Sequence, residues 1–381
     1  MGVVDKLKVL VVDDTIVYRK IVTDVLTEIP EVEVVGTANN GKIALAKINS
    51  LKPDLVTLDI EMPEMNGIDV LSWIKKEHPE IGAIMVSTLT YEGGELTIKA
   101  LELGAFDFIS KPQGASMAEN KKSIIDTLVP MIRAYSRRRD IRNILKGKPS
   151  DKITKSTSTP SPTTTTQVVS SKLDTVKQRL TRISRTMKPK SEIVAIGIST
   201  GGPNALAKMM PKLPVKINVP ILIVQHMPPV FTQSLAKSLN TKCAINVREA
   251  RDGEVLEPSV AYIAPGGKQM KIVASPDGKN RLIRITDDPP ENSCKPSVDY
   301  LFRSISQYYL NRSTAVIMTG MGSDGFAGLK MMKQNGAFII AQDELSCTVF
   351  GMPKEPIESG IVDVVASLDD IADEIVKTVK I

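Results

Sequence analysis

The stretch "KVLVVDDTIVYRKIVTDVLTEIP", residues 8–30, decides the fold class. It begins with a short apolar run closed by Asp13 and Asp14, which suits a strand buried on both faces of a parallel sheet. It continues with apolar residues at 17, 21, 22, 25, 26 and 29, the spacing of one helix face. Four further runs, "VEVVGTA", "DLVTLD", "AIMVST" and "DFIS", repeat the strand with helix-length segments between them. This alternation predicts a (βα)5 unit with a parallel sheet covered on both faces.

The same logic returns after residue 191. "EIVAIGIS", "VPILIVQH", "TAVIMTG" and "AFIIAQD" read as buried strands. "PNALAKMMPKL", "VFTQSLAKSL", "SVDYLFRSISQYYL" and "FAGLKMMKQNG" read as helices. Between Ile245 and Asp287 short alternating runs are broken by "PGG" and "PDG", as in hairpins. The expected architecture here is a doubly wound, mostly parallel α/β domain with an antiparallel hairpin excursion.

Charge separates the two halves. Residues 133–190 hold 16 Lys/Arg against 3 Asp/Glu, or +13, which leaves 33 basic and 40 acidic residues, or −7, elsewhere. The middle of this block, "KSTSTPSPTTTTQVVSSK", is Ser/Thr/Pro-rich and cannot support a core. It reads as a solvated basic linker rather than a binding patch. The expected division is a first domain at 1–130, a linker at 131–190 and a second domain at 191–381.

With 381 residues the chain is long enough for two domains that each bury a core. The opening residues carry charges inside any apolar core, unlike a secretory signal, and no uncharged run approaches the ~20 residues of a membrane span. Cys243, Cys294 and Cys347 are far apart and show no metal-ligand spacing. Reduced thiols in a cytoplasmic protein are expected.

In the first domain Asp13, Asp14 and Asp59 end strands, which brings them to one edge of a parallel sheet. Three clustered carboxylates repel one another unless a cation neutralises them, and Mg²⁺ suits such oxygen ligands. Ser87 and Lys111 reach the same edge. A carboxylate nucleophile, a Mg²⁺ site and a cation for incoming oxygens fit phosphoryl transfer to an aspartate.

In the second domain the loop "AIGISTGGPNAL" can cradle a phosphate or present a nucleophile. It matches G-x-S-x-G at Gly197, Ser199 and Gly201. It fails the dinucleotide fingerprint, because Ser199 stands at the middle glycine and Gln225-His226 replace an acidic ribose partner. A serine nucleophile needs a base, and the chain has two histidines. His78 lies at a charged helix end in the other domain, whereas His226 ends a predicted strand on the edge that carries Ser199. Asp324, in the glycine-rich "TGMGSDG" loop, is the favoured carboxylate to orient the imidazole, with Asp287 and Asp343 as competitors.

"VLVVDDT", "LVTLDIEMPEMNG", "IMVSTLT" and "FDFISKP" resemble the motifs of two-component receiver domains. That resemblance implies Asp59 as phosphoacceptor, Asp13 and Asp14 at the metal, and Ser87 and Lys111 on the phosphoryl group. It also implies Phe108 as a switch aromatic and a cis Lys111–Pro112 bond. "GISTGGP", "VQHMPP", "EARDGEVLEPSVAYIAPGG", "MTGMGSDGFAGL" and "AQDELSCTVFGMP" resemble the catalytic domain of chemotaxis protein-glutamate methylesterases, the CheB family. This second resemblance implies Ser199 as nucleophile, His226 as base and Asp324 as its orienter. The backbone N–H groups near Thr200 and Met321 are candidates for the oxyanion hole.

It further implies a phosphorylation-activated hydrolase acting on glutamyl methyl esters, and on glutamines, of methyl-accepting chemoreceptors in chemotactic adaptation. A chemotaxis histidine kinase would be the phosphodonor, and the unphosphorylated receiver would cover the groove. Mg²⁺ would serve the receiver, with no cofactor for ester hydrolysis. A monomer peripheral to membrane-bound receptor arrays is expected. A regulator with a nucleic-acid-binding output is the competing class, but no helix-turn-helix pattern follows the linker and the folded parts are acidic. A catalytically dead docking module is the third.

Overall fold

The five apolar runs of the first half become strands β1 (Leu7–Val12), β2 (Val32–Ala38), β3 (Leu55–Asp59), β4 (Gly82–Ser87) and β5 (Asp107–Ser110). They alternate with helices α1 (Ile16–Thr27), α2 (Gly41–Leu51), α3 (Gly67–Glu77), α4 (Tyr91–Glu102) and α5 (Met117–Leu145). All neighbouring strands pair in parallel in the order β2-β1-β3-β4-β5. The order reverses beside β1, so the carboxyl ends of β1 and β3 flank a switch-point crevice. Side chains cap α2, α3 and α4, whereas Thr15 at the head of α1 makes no such bond. Asn40 accepts from the Ile43 amide, Asn66 from Asp69 and Thr90 from Gly93, at 2.9, 3.0 and 2.9 Å. Such caps stabilise a helix by about 1 kcal/mol each.

This is a computed structural model that describes residues 6–112, 114, 116–145 and 189–380. Residues 6–138 and 190–380 belong to one compact unit. The Ser/Thr/Pro-rich run expected to be a linker lies outside the described residues.

In the second half of this unit a seven-stranded sheet runs β14-β13-β12-β6-β7-β9-β8. Its strands are β6 (Ile193–Ile198), β7 (Ile221–Gln225), β8 (Asn246–Glu249), β9 (Val260–Ile263), β12 (Ser313–Ile317), β13 (Phe338–Gln342) and β14 (Val364–Ala366). Every neighbouring pair is parallel. Helices α6 (Gly202–Met209), α7 (Phe231–Lys242), α8 (Val298–Tyr309), α9 (Phe326–Gln334), α10 (Lys354–Glu358) and α11 (Ile371–Thr378) cover it. β6, β7, β9 and β12 are buried along their whole length, which is why they read as continuous apolar runs.

The antiparallel excursion is the hairpin of β10 (Gln269–Ala274) and β11 (Arg281–Thr286), turned at "PDG". It is shorter than the sequence suggested. "VAYI" belongs to the parallel sheet as β9, and "PGG" carries the chain out of that sheet instead of turning a hairpin. β8, β14, α10 and α11 carry too few residues or too weak a pattern to stand out in the sequence. Among the described residues the cis peptide bond is Lys295–Pro296. Lys111–Pro112, expected to be cis, is not, and the Pro112 carbonyl accepts from the Tyr18 hydroxyl at 2.8 Å.

The two halves pack directly on each other. The Phe108 ring, at β5, lies 4.7 Å from the Phe231 ring, at the start of α7. Glu95 and Glu102 of α4 pair with Lys237 and Lys242 of α7, each at 2.6 Å. Asn204 of α6 donates its side-chain amide to the Ala105 carbonyl at 3.1 Å.

Candidate functional site

β6 and β7 end side by side, with Ile198 paired to Gln225. Ser199 and His226 are the next residues, so both stand at the carboxyl edge of the sheet. Their backbones are tied down: the Ser199 amide donates to Thr319 O at 3.0 Å and the His226 amide to Ile198 O at 3.1 Å. Gln225 donates its side-chain amide to the Ser199 carbonyl at 2.9 Å. The turn requires glycine at Gly201, which has φ 74° and would drive a Cβ to 2.4 Å from Thr348. On the other side Gly320 lets its loop approach, since a Cβ there would stand 2.8 Å from the Ser199 Cβ. Met321, next in that loop, and Thr200 both keep backbone N–H groups that donate to no protein acceptor among the described residues.

Asp324 meets His226. The imidazole Nε2 lies 2.8 Å from Asp324 Oδ2, and a carboxylate only accepts, so Nε2 carries the hydrogen. Asp324 does not cap its own helix, where Gly325 is the capping residue. It sits instead at the N-terminus of α8, accepting from the Val298 amide at 2.7 Å and the Asp299 amide at 3.2 Å. Ser297 and Asn292 donate to it at 2.8 and 3.0 Å. Burial works to raise this carboxyl, but the bonds from His226, Asn292 and Val298 outweigh it and hold it at about 2. Burial likewise disfavours the charged imidazole, and the bonds to Asp324 and then Cys294 outweigh it and raise His226 to about 9. Of the competing carboxylates, Asp287 is exposed and pairs with Lys268 and Lys295, and Asp343 accepts from Ser346.

Nε2 is committed to Asp324, so Nδ1 is the nitrogen without a carboxylate partner. The Cys294 Sγ lies 3.7 Å from it. Ser199 Oγ makes no hydrogen bond among the described residues, so the three side chains are not fully joined in this arrangement. Catalytic contacts of this kind often tighten only with substrate bound. His78, the other histidine, lies against Asn49 and Glu80 in the first half.

At the receiver's edge Asp13, Asp14 and Asp59 hold oxygens within 4.8 Å of one another. Lys111 Nζ donates to Asp59 Oδ2 at 2.7 Å and lies 3.2 Å from Asp13 Oδ2. Asp13 Oδ2 is buried, and its contact with Lys111 is an ion pair rather than a hydrogen bond. Burial, then the charge of Asp13, raises the Asp59 carboxyl to about 7 against the pull of Lys111. An orphaned buried carboxylate oxygen beside two further carboxylates fits a hard divalent cation. Ser87 stands at the same edge, but its hydroxyl turns to α4, accepting from Thr97 at 2.8 Å and donating to Gly93 O at 3.2 Å.

Sequence reasoning missed Asp107. It is buried at the start of β5, and its carboxylate accepts from the Gly201 amide at 3.1 Å, on the turn that carries Ser199. Burial raises it to about 7, against the pull of its amide bonds from Phe108 and Gly201. Asp107 and Ile109 of the first half and Met131 of α5 roof a cavity of about 150 Å³ floored by Ser199, Thr200 and His226. Asn292, Ser297 and Cys294 were also missed, since they lie in or beside a loop with no periodicity.

Comparison with known proteins agrees with both halves. Residues 9–121 match the response regulator receiver domain, and residues 194–375 match the CheB methylesterase. A protein-glutamate methylesterase/protein-glutamine glutaminase of Desulfotalea psychrophila is 57% identical over 98% of this chain and 99% of its own. The protein of the same description from Bacillus subtilis is 42% identical over the same shares. The crystal structure of the Thermotoga maritima CheB methylesterase catalytic domain is 39% identical, covers 50% of this chain and 99% of its own, and has a TM-score of 0.48. With a receiver and a methylesterase domain in one chain, matched along nearly its full length by such relatives, this protein belongs to the CheB family of receiver-linked protein-glutamate methylesterases.

Proposed function

We propose that this chain hydrolyses glutamyl methyl esters, and deamidates glutamines, on chemoreceptors through Ser199, His226 and Asp324. The observation that carries this reading is the 2.8 Å bond between His226 and a carboxylate that five donors keep ionised. Asp324 fixes the imidazole with its proton on Nε2, which leaves Nδ1 as the base. Nδ1 takes the Ser199 proton as Oγ attacks the ester carbonyl. The oxyanion is received by the N–H groups of Thr200 and Met321, where losing one donor costs ~10²–10³ in rate. The imidazolium returns its proton to the leaving methoxide, giving methanol, or to the leaving amine, giving ammonia. Water then adds to the acyl-enzyme by the same path and frees the glutamate and Ser199.

The receiver acts as the gate. On this reading it occupies 1–130, the linker 131–190 and the esterase 191–381. Asp59 accepts the phosphoryl group from a histidine kinase. Asp13, Asp14 and Asp59 would hold Mg²⁺, which neutralises the charge around the incoming phosphate. Lys111 and Ser87 would contact its oxygens, and Ser87 would leave Gly93 and Thr97 to do so. That change at the head of α4 weakens the face that packs on α7 and shifts the population towards a state with Ser199 uncovered. The roof of Asp107, Ile109 and Met131 supports this, because it lines the cavity that holds Ser199 and narrows the approach to it.

Methanol release from methylated receptor membranes tests the reading. Ser199→Ala is expected to lose activity by ~10⁶-fold, the scale seen when a nucleophilic serine is removed. Turnover by the folded variant at the wild-type rate would refute the assignment.

A further inference from the structure

Cys294 is the one thiol beside the esterase centre that the mechanism leaves unused. Its Sγ lies 3.7 Å from His226 Nδ1 and 3.4 Å from Asn292 O, and the side chain is half-buried at the rim. One atom each of His226, Cys294 and Asp324 falls within a span of 4.8 Å. Sulfur and imidazole nitrogen are the donors that Zn²⁺ and softer divalent ions select. Zn–S and Zn–N bonds of about 2.3 and 2.0 Å at a tetrahedral angle set the two donors about 3.5 Å apart, close to the observed separation. Asp324 is already filled by its own hydrogen bonds, so it does not complete the chelate. It holds the opposite ring nitrogen, as carboxylates commonly do behind a metal-bound histidine. Neither Cys243 nor Cys347 stands in such a group among the described residues. The receiver cluster at Asp13, Asp14 and Asp59 offers oxygen alone, so the two sites differ in the ions they prefer.

We propose that His226 Nδ1 and Cys294 Sγ form a two-residue chelate for a borderline or soft divalent cation, Zn²⁺ above all, and that its binding reversibly shuts off the esterase. The thiol gives up its proton to solvent as the S–metal bond forms, the imidazolium gives up its Nδ1 proton as the N–metal bond forms, and water completes the coordination. The metal then occupies the nitrogen that would take the Ser199 proton. This inhibitory half rests on the reading of His226 as base, whereas binding itself does not. Because protons are released, the ion binds more tightly as pH rises.

The test uses the full chain in constant excess Mg²⁺. Cd²⁺ reports binding through thiolate-to-metal charge-transfer absorption, and Zn²⁺ is titrated against methanol release. Wild type is expected to show the absorption at one Cd²⁺ per chain and to lose activity with Zn²⁺, with EDTA restoring it. Cys294→Ala and Cys294→Ser, each read against its own metal-free rate, should lack the absorption and need at least about tenfold more Zn²⁺ for half-inhibition. The same absorption or the same Zn²⁺ sensitivity in all three proteins would overturn the chelate. Absorption in wild type with methanol release untouched by Zn²⁺ would instead overturn the inhibition, and with it His226 as base.

Discussion

On the proposed mechanism, His226 and Asp324 set the pH behaviour. His226 is raised to about 9 by its bonds to Asp324 and Cys294, which outweigh its burial, so most of it is protonated at neutrality and a proton must leave before Nδ1 can act. The rate should therefore climb with pH through a midpoint well above the ordinary histidine value of 6.5, measured as methanol release at saturating phosphodonor. In Asp324→Asn the midpoint should fall back, with a rate loss on the order of 10⁴. For stability the signs are opposite. A raised histidine contributes most below 6.5 and loses its contribution as pH rises through about 9. A carboxyl lowered from 3.8 to about 2 contributes above its unfolded value and loses the contribution as pH falls through about 2. Thermal melts of wild type and Asp324→Asn should thus differ most between about pH 4 and 6.5.

Strand ends made much of the chemistry legible. Asp13, Asp59, Ser87, Lys111, Ser199 and His226 each end or directly follow a buried apolar run, so the sequence placed them on sheet edges before any contact was known. What escaped came from elements brought together only by tertiary packing. Cys294 lies 68 positions from His226 and Asp107 lies 94 from Gly201, separations that no periodicity reports. "VAYI" was misassigned because a four-residue strand before "PGG" looks the same in a hairpin and in a parallel sheet. β5 carries the consequence that matters most for regulation. Its Asp107 is the acceptor for an N–H on the turn that carries Ser199, and removing an acceptor from a buried donor costs about 1–3 kcal/mol. Asp107→Ala should weaken the covered state and raise the unphosphorylated rate about tenfold. The rate with saturating phosphodonor should stay unchanged. An unchanged basal rate would mean that this contact does not hold the receiver in place.

At the scale of the whole molecule, two α/β halves meet so that the output site of one is roofed by the other. Phe108 against Phe231 and the α4–α7 ion pairs join the edge that carries Asp59 to the helix after His226. A small-molecule phosphodonor with Mg²⁺ should raise methanol release at least about tenfold, a change of roughly 1.4 kcal/mol. Asp59→Ala should show no such rise, and chelating the Mg²⁺ should abolish it in wild type. No helix among the described residues is long and apolar enough to cross a membrane. The central claim is that Ser199 carries the acyl group. Mass spectrometry of the phosphodonor-activated protein, quenched in acid during turnover of a methylated receptor peptide, reads this directly. The account predicts a glutamyl adduct on the peptide containing Ser199, absent from Ser199→Ala. An adduct on another residue, or turnover in Ser199→Ala, would contradict it.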